Sequence, residues 1–206
     1  MRRGPRLKRD FYTRADTLSV ARDLLGKRLV VPAPDGERVS ARIVEVEAYL
    51  GIADRAAHSY GGRRTARTEV MFGVGGLVYV FFVYGMHHQL NVVTGPAGQP
   101  HVVLLRAVEP EEGVELMRVR RAVAKERELT SGPGKLCRAL GIDGGYNGED
   151  LTKGRRIWIE ETGARFADEE IAAGPRVGID YAGEDALKPW RFWVRGNEFV
   201  SRKQRT

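Results

Sequence analysis

Two strand–turn–strand segments constrain this chain more than any other feature. Residues 27–50, KRLVVPAPDGERVSARIVEVEAYL, place the turn signal PDG between two β-prone runs and predict a hairpin. Residues 75–95, GGLVYVFFVYGMHHQLNVVTG, predict two more strands around a tight connection at YGMHHQ. PHVVLLRAVEP predicts another strand, and RRIWIEE and RFWVRGN two late ones. Helical pattern lies apart from these. It covers ADTLSVARDLLGKRL, with Asp16 or Thr17 as cap and Gly26 as stop, and residues 110–142 in two pieces broken by TSGPG. LGIADRAAHSYGGRRTARTEVMFG reads as loop with a short helix. Strands adjacent in sequence with helices clustered elsewhere predict an α+β fold with a mainly antiparallel sheet. The expected organisation is one domain over residues 1–206, with 1–15 a flexible basic arm and 201–206 a basic tail.

Within ARIVEVEAYL, alternation puts Ile43, Glu45, Glu47 and Tyr49 on one face and Val44, Val46, Ala48 and Leu50 on the other, the core face. Two carboxylates side by side could serve hydrolysis of a glycosidic bond, one of them activating water. On the strand alone, a solvated face with Glu45 and Glu47 paired to Arg42 or other basic residues is the favoured reading. In LVYVFFVYGMHHQLN, Phe82 and the valines read as core. Tyr84, before Gly85 in a turn, could project as a wedge of the kind that unstacks bases. Asn91 enters an apolar strand, where its amide must satisfy backbone or read a ligand.

The charge points to a partner. Lys+Arg is 34 against Asp+Glu 27, a net +7, with basic clusters at 2–9, 63–67, 118–127 and the C-terminus. Such a field favours polyanions, nucleic acid first. The single cysteine excludes an internal disulfide framework and a cysteine-based zinc site. Of the four histidines only His87 and His88 adjoin, and strand neighbours face opposite ways, so a shared metal is not expected. There is no GxxxxGK[ST] loop and no HxE…PCxxC deaminase signature. TSGPGK reads as a turn that could still offer backbone N–H groups and Lys135 to a phosphate. No apolar run spans a membrane and no secretory signal opens the chain, so the expectation is a cytoplasmic, non-secreted protein.

The ordered blocks VEVEAYLGIADRAAHSYGGRRTARTEVMFGVGGLVYVFFVYGMHHQLNVV, VLLRAVEPEEG, ELTSGPGKLCRALGI and PRVGIDYAGEDALKPWRFWVRG resemble the alkyladenine (3-methylpurine) DNA glycosylase family, from about Arg22 to Val200. The resemblance implies a curved antiparallel sheet with flanking helices. It also implies metal-free and cofactor-free hydrolysis of the N-glycosidic bond of alkylated or deaminated purines: 3-methyladenine, 7-methylguanine, hypoxanthine and ethenoadenine. Glu47 matches the water-activating base, Arg106 an arginine that holds the water, and Val177 a backbone carbonyl ligand to it. Tyr49, His58 and Phe81 match the walls of the base pocket, and Asn91 the residue that crowds the 2-amino group of normal guanine. Tyr84 matches the intercalating wedge, while Arg63, Thr65, Met86 and Lys135 match positions near the DNA backbone or the wedge. Two departures bear on lesion range. Phe81 stands where a tyrosine is familiar, and residues 87 and 88 are both histidine.

The resemblance implies a monomer that binds double-stranded DNA containing damaged purines and works by flipping the base, without strand cleavage. Glu45 receives no catalytic role, and no general acid is assigned for neutral lesions. A nucleic-acid-binding module without catalysis is the alternative, with Glu47 a surface acid. A carbohydrate hydrolase using Glu45 and Glu47 is another, but it leaves the basic field unexplained.

Overall fold

The computed structural model describes residues 3–201. Its strands are β1 (Arg28–Val30), β2 (Ser40–Tyr49), β3 (Val78–Val83), β4 (His87–Thr94), β5 (His101–Glu112), β6 (Trp158–Glu160), β7 (Ile171–Gly174) and β8 (Arg191–Val194). They form one sheet, every pairing antiparallel, in the order β3-β4-β5-β2-β1-β6, with β8 joining β2 to β7. The sheet is curled into a half-barrel, and the fold is α+β. Among the described residues four α-helices accompany it: α1 (Arg9–Tyr12), α2 (Thr17–Leu24), α3 (Val114–Arg121) and α4 (Pro133–Leu140).

Local chemistry explains the element ends. The Asp16 side chain accepts from the Leu18 N–H and caps α2. Pro133 opens α4, where its missing N–H costs nothing. Helices α2 and α4 cover one face of the sheet, and the core there contains Val44, Val46, Ala48, Val80, Leu90, Val92, Val103 and Leu105. Burying each of these valine and leucine side chains contributes about 1.5–3 kcal/mol before the entropy of ordering it.

The opposite face departs from expectation. It is not solvated: Glu45 and Glu47 are 0% exposed. The segments after β2 and after β7 fold over it, so both faces of the strand are covered. Arg42 pairs with Glu111 (3.1 Å), not with either acid. The register between β2 and β5 also slips between Ile43 and Val46. Ile43 therefore joins Val44 in the helix-side core, against the simple alternation.

Three more expectations change. Strand β7, IAAG, is an addition: it is short and lacks the β-branched alternation that marks the others. Phe82 is 53% exposed rather than core, because the β3–β4 hairpin runs past the edge of the covering helices. Its ring leans on His88, across the ladder from it (4.9 Å between centroids). The basic N-terminal arm packs on the body. Leu7 N–H donates to the Ile159 carbonyl, Arg9 pairs with Asp150 (2.5 Å), and Tyr12 is fully buried. The expected tail lies outside the described residues beyond Ser201.

Candidate active site

The face of the sheet away from the helices carries a cavity of about 210 Å³. Strand β2 supplies Tyr49, β3 supplies Tyr79 and Phe81, β4 supplies Asn91, and β5 supplies Arg106. The loop after β2 adds His58, the loop after β7 adds Val177 and Tyr181, and the β3–β4 turn adds Tyr84. The expected wall residues Tyr49, His58, Phe81 and Asn91 thus meet around one space, together with Tyr84, Arg106 and Val177.

Glu47 lies just behind that wall, held by three residues that line it. Its Oε1 accepts from the Val177 N–H (2.7 Å) and sits 3.4 Å from Arg106 Nη1, and its Oε2 accepts from the Tyr49 hydroxyl (2.9 Å). Burial raises its pKa above the usual carboxylate value, and nearby Glu45 adds to the rise. Arg106, the Val177 amide and the Tyr49 hydroxyl pull the other way. Glu45 is bound more completely. It accepts from Arg106 Nε (3.0 Å), Arg191 Nε (2.7 Å), the Ser201 hydroxyl (2.9 Å) and the Ser201 N–H (2.6 Å). The pairing of Glu45 with arginine holds, with partners from β5 and β8.

The rings of the wall pack on one another. His58 meets Phe81 edge-on at 4.5 Å, and its Nδ1 lies 2.9 Å from the Tyr79 hydroxyl. Burial and the charge of Arg67 lower the His58 pKa to about 4, so the ring is neutral at physiological pH. Burial and Glu47 push the Tyr49 phenol well above its ordinary value. Asn91 Nδ2 donates to the Tyr79 carbonyl (3.2 Å), which satisfies backbone and fixes the amide in the wall.

At the mouth, Tyr84 is 80% exposed at φ +55°, beside Gly85 at φ +66°. Positive φ is unusual for a tyrosine and turns the ring outward from the hairpin tip. Met86 follows, 69% exposed. An adjoining cavity is lined by Arg63 and Thr65, with Arg55, Tyr60 and Arg67. Lys135 does not reach either cavity. It is half-buried in the first turn of α4, next to Gly134, where a Cβ would come within 2.9 Å of the His87 ring. That close approach brings the hairpin against the start of α4.

Several residues of the site have no local signal in the sequence. Arg176 donates to both carboxylate oxygens of Asp54 (2.5 and 2.8 Å) and to the Ala48 and Asp185 carbonyls. Its guanidinium lies 4.6 Å from the Tyr49 ring centroid. It anchors the loop that presents Val177, yet its partner Asp54 is 122 positions away. Arg191, Ser201, Arg67 and Tyr181 are further examples, and only the folded sheet assembles them.

A cavity lined in part by the rings of Tyr49, His58, Tyr79, Phe81, Tyr84 and Tyr181, beside a buried carboxylate on a net basic chain, has the make-up of an enzyme site that holds a flat heterocycle next to a hydrolytic group. The comparisons agree. The methylpurine-DNA glycosylase family model matches residues 10–198, and the chain belongs to that family. It is 52% identical over 206 residues to a Desulfitobacterium hafniense (strain Y51) protein, covering 96% of this chain and 99% of that one. It is 50% identical over 201 residues to a Bacillus cereus (strain G9842) protein (94% and 97%) and over 200 residues to one from Methanocella arvoryzae (97% and 97%). All three carry the name "Putative 3-methyladenine DNA glycosylase". Family membership makes the chain a DNA glycosylase, a hydrolase of N-glycosyl bonds that serves base excision repair. Among the described residues, no helix is long and apolar enough to cross a membrane.

Proposed function

We propose that this methylpurine-DNA glycosylase binds duplex DNA, rotates a damaged purine nucleotide into the aromatic cavity, and hydrolyses its N-glycosidic bond with water activated by Glu47. One observation carries the reading: a fully buried carboxylate held against the wall of an aromatic cavity by Arg106, Tyr49 and the Val177 amide.

Tyr84 enters the stack and fills the space the nucleotide leaves. Tyr49 walls one side of the purine, and Phe81, with His58 edge-on to it, walls the other. Electron-rich ring faces favour a cationic alkylated base. Phe81 needs only its ring for this, so a missing phenol leaves stacking intact. Asn91, fixed by its bond to the Tyr79 carbonyl, crowds the 2-amino group of an undamaged guanine. Arg106 and the Val177 carbonyl orient the water. Its oxygen bonds to the sugar carbon as the bond to the purine nitrogen breaks, the electron pair leaves with the base, and Glu47 takes the proton. The carboxylate also stabilises the oxocarbenium-like transition state. The raised pKa of Glu47 suits a base that must accept a proton near neutral pH. Arg63, Thr65, Met86 and Lys135 contact the DNA backbone or flank the wedge. The substrates are 3-methyladenine, 7-methylguanine, hypoxanthine and ethenoadenine, and the enzyme acts as a monomer. With no lysine nucleophile in the scheme, the product is an abasic site in an unbroken strand.

The test is incubation with methylated duplex DNA in excess chelator. Free methylpurine with intact, alkali-labile strands is the expected result. Tight binding without base release would leave a binding module instead, and neither would return the paired acids to another glycosidic substrate.

A further inference from the structure

We infer that Arg67 and Tyr79 lock His58 as the tautomer protonated on Nε2, so that the cavity wall offers a hydrogen-bond donor that favours neutral damaged purines and opposes the pull of the ring faces on cationic ones. The preference among lesions rests on the function proposed above, whereas the tautomer does not.

The argument is one of donors and acceptors. The Tyr79 hydroxyl lies 2.9 Å from His58 Nδ1 and belongs to a residue 1% exposed. A phenol has one proton to give, and a neutral imidazole has one bare nitrogen and one N–H. The other polar neighbour is Arg67. Its guanidinium lies 5.1 Å from the Phe81 ring centroid, and its charge acts on both the Tyr79 phenol and the His58 ring. A guanidinium offers five donors and accepts nothing. If Nδ1 carried the proton, its N–H would point at the phenol oxygen. The phenol proton would then be turned toward a cation, buried and unpaired. If Nδ1 is bare, the phenol donates into it and turns its lone pairs toward Arg67. The phenol and Nδ1 are then both satisfied, and the imidazole proton resides on Nε2.

The ring is also held in place. Phe81 packs edge-on against it at 4.5 Å, and Tyr79 stands perpendicular to it at 88°. Nε2 has no hydrogen-bond partner among the described residues, and His58 lines the cavity. Arg67 forms no ion pair among the described residues, so its charge is not cancelled by a carboxylate at close range. An N–H fixed on a ring that lines the cavity bonds best to a neutral base with lone pairs, such as hypoxanthine. A cationic base such as 7-methylguanine accepts more weakly because its ring already carries positive charge. His58 thus acts as a specificity determinant, and Tyr79 and Arg67 are positioning residues.

The experiment labels histidine with 15N and reads the tautomer of His58 by long-range proton–nitrogen correlation, with His58→Gln to assign the signal. The expected result is a bare Nδ1 and a protonated Nε2, unchanged between pH 6 and 8. A His58 protonated on Nδ1, or freely exchanging between tautomers, overturns the lock. In Tyr79→Phe, and more weakly in Arg67→Gln, the signal shifts toward a tautomer mixture. Tyr79→Phe slows hypoxanthine release about tenfold, the value of one hydrogen bond, and slows 7-methylguanine release markedly less. Equal slowing on both lesions, with wild-type melting temperature, overturns the specificity role. An Nε2-protonated His58 in a protein that releases no purine keeps the lock and rejects the proposed function instead.

Discussion

Glu45 and Glu47 stand two positions apart on one face of β2, yet their surroundings give them different work. Glu45 accepts from two arginines and from both polar groups of Ser201, which makes it the centre of a structural cluster. Removing one partner from a buried ion network costs about 3–5 kcal/mol. Glu45→Gln should therefore lower the melting temperature clearly while the folded fraction keeps most of its excision rate, which denaturation and single-turnover assays on one sample would check. Glu47 is expected to titrate in the rate profile instead. Its pKa in the fold is raised, so its proton is held more tightly than in the unfolded chain. Any stability it contributes is present at low pH and is lost as pH rises through the folded value. Excision should rise with pH along a limb lying above the ordinary carboxylate value of 4.5. A limb at or below that value would mean that Glu47 is not the group being read. Alternation in the sequence placed the two acids on one face. It could not show that loops would cover that face, because burial there depends on residues more than a hundred positions away, such as Val177 and Arg191.

The elements around the cavity divide into a firm part and a projecting part. Asp54 and Arg176 form a fully buried pair that ties the loop after β2 to the loop after β7, and this holds Val177 against Glu47. The β3–β4 hairpin projects instead, with Tyr84, Met86 and Phe82 exposed at its end. A side chain this exposed contributes little to the fold. Tyr84→Ala should leave the melting temperature nearly unchanged. It should cost roughly ten- to a hundredfold in base release from well-paired duplex, because extrusion costs a few kcal/mol and about 1.4 kcal/mol is a factor of ten. The loss should be smaller where the lesion sits opposite a mismatch. Equal loss on both duplexes with a lowered melting temperature would make Tyr84 a packing residue. The hairpins, α2 and the split helical region were legible from turn residues, caps and periodicity. Phe82 was not, because alternation assigns a face but cannot tell where the helices covering it end. Strand β7 escaped because Ile171–Gly174 carries no alternation and is defined only by its pairing with β8.

At the scale of the whole molecule, net charge and active site act together. A DNA glycosylase of net charge +7 should bind DNA with an affinity that falls steeply as salt rises, because each neutralised phosphate releases counterions. Arg63→Ala should reduce the slope of log affinity against log salt by about 1 while changing lesion preference little. A nearly flat plot would remove the basic face from DNA binding. The α+β class was readable because several strands adjacent in sequence, β1 and β2, β3 to β5, and β7 and β8, also pair in the sheet. The long-range closure by β8, which joins β2 and β7, was not, since nothing local in RFWV names its partners. The most direct test of the central claim is single-turnover excision by Glu47→Gln on methylated duplex, measured together with its affinity for the same DNA. The substitution keeps the shape and removes the base that water needs. The account predicts nearly complete loss of purine release, unchanged DNA affinity and a melting temperature no lower than wild type. Purine release at the wild-type rate from this variant would contradict it.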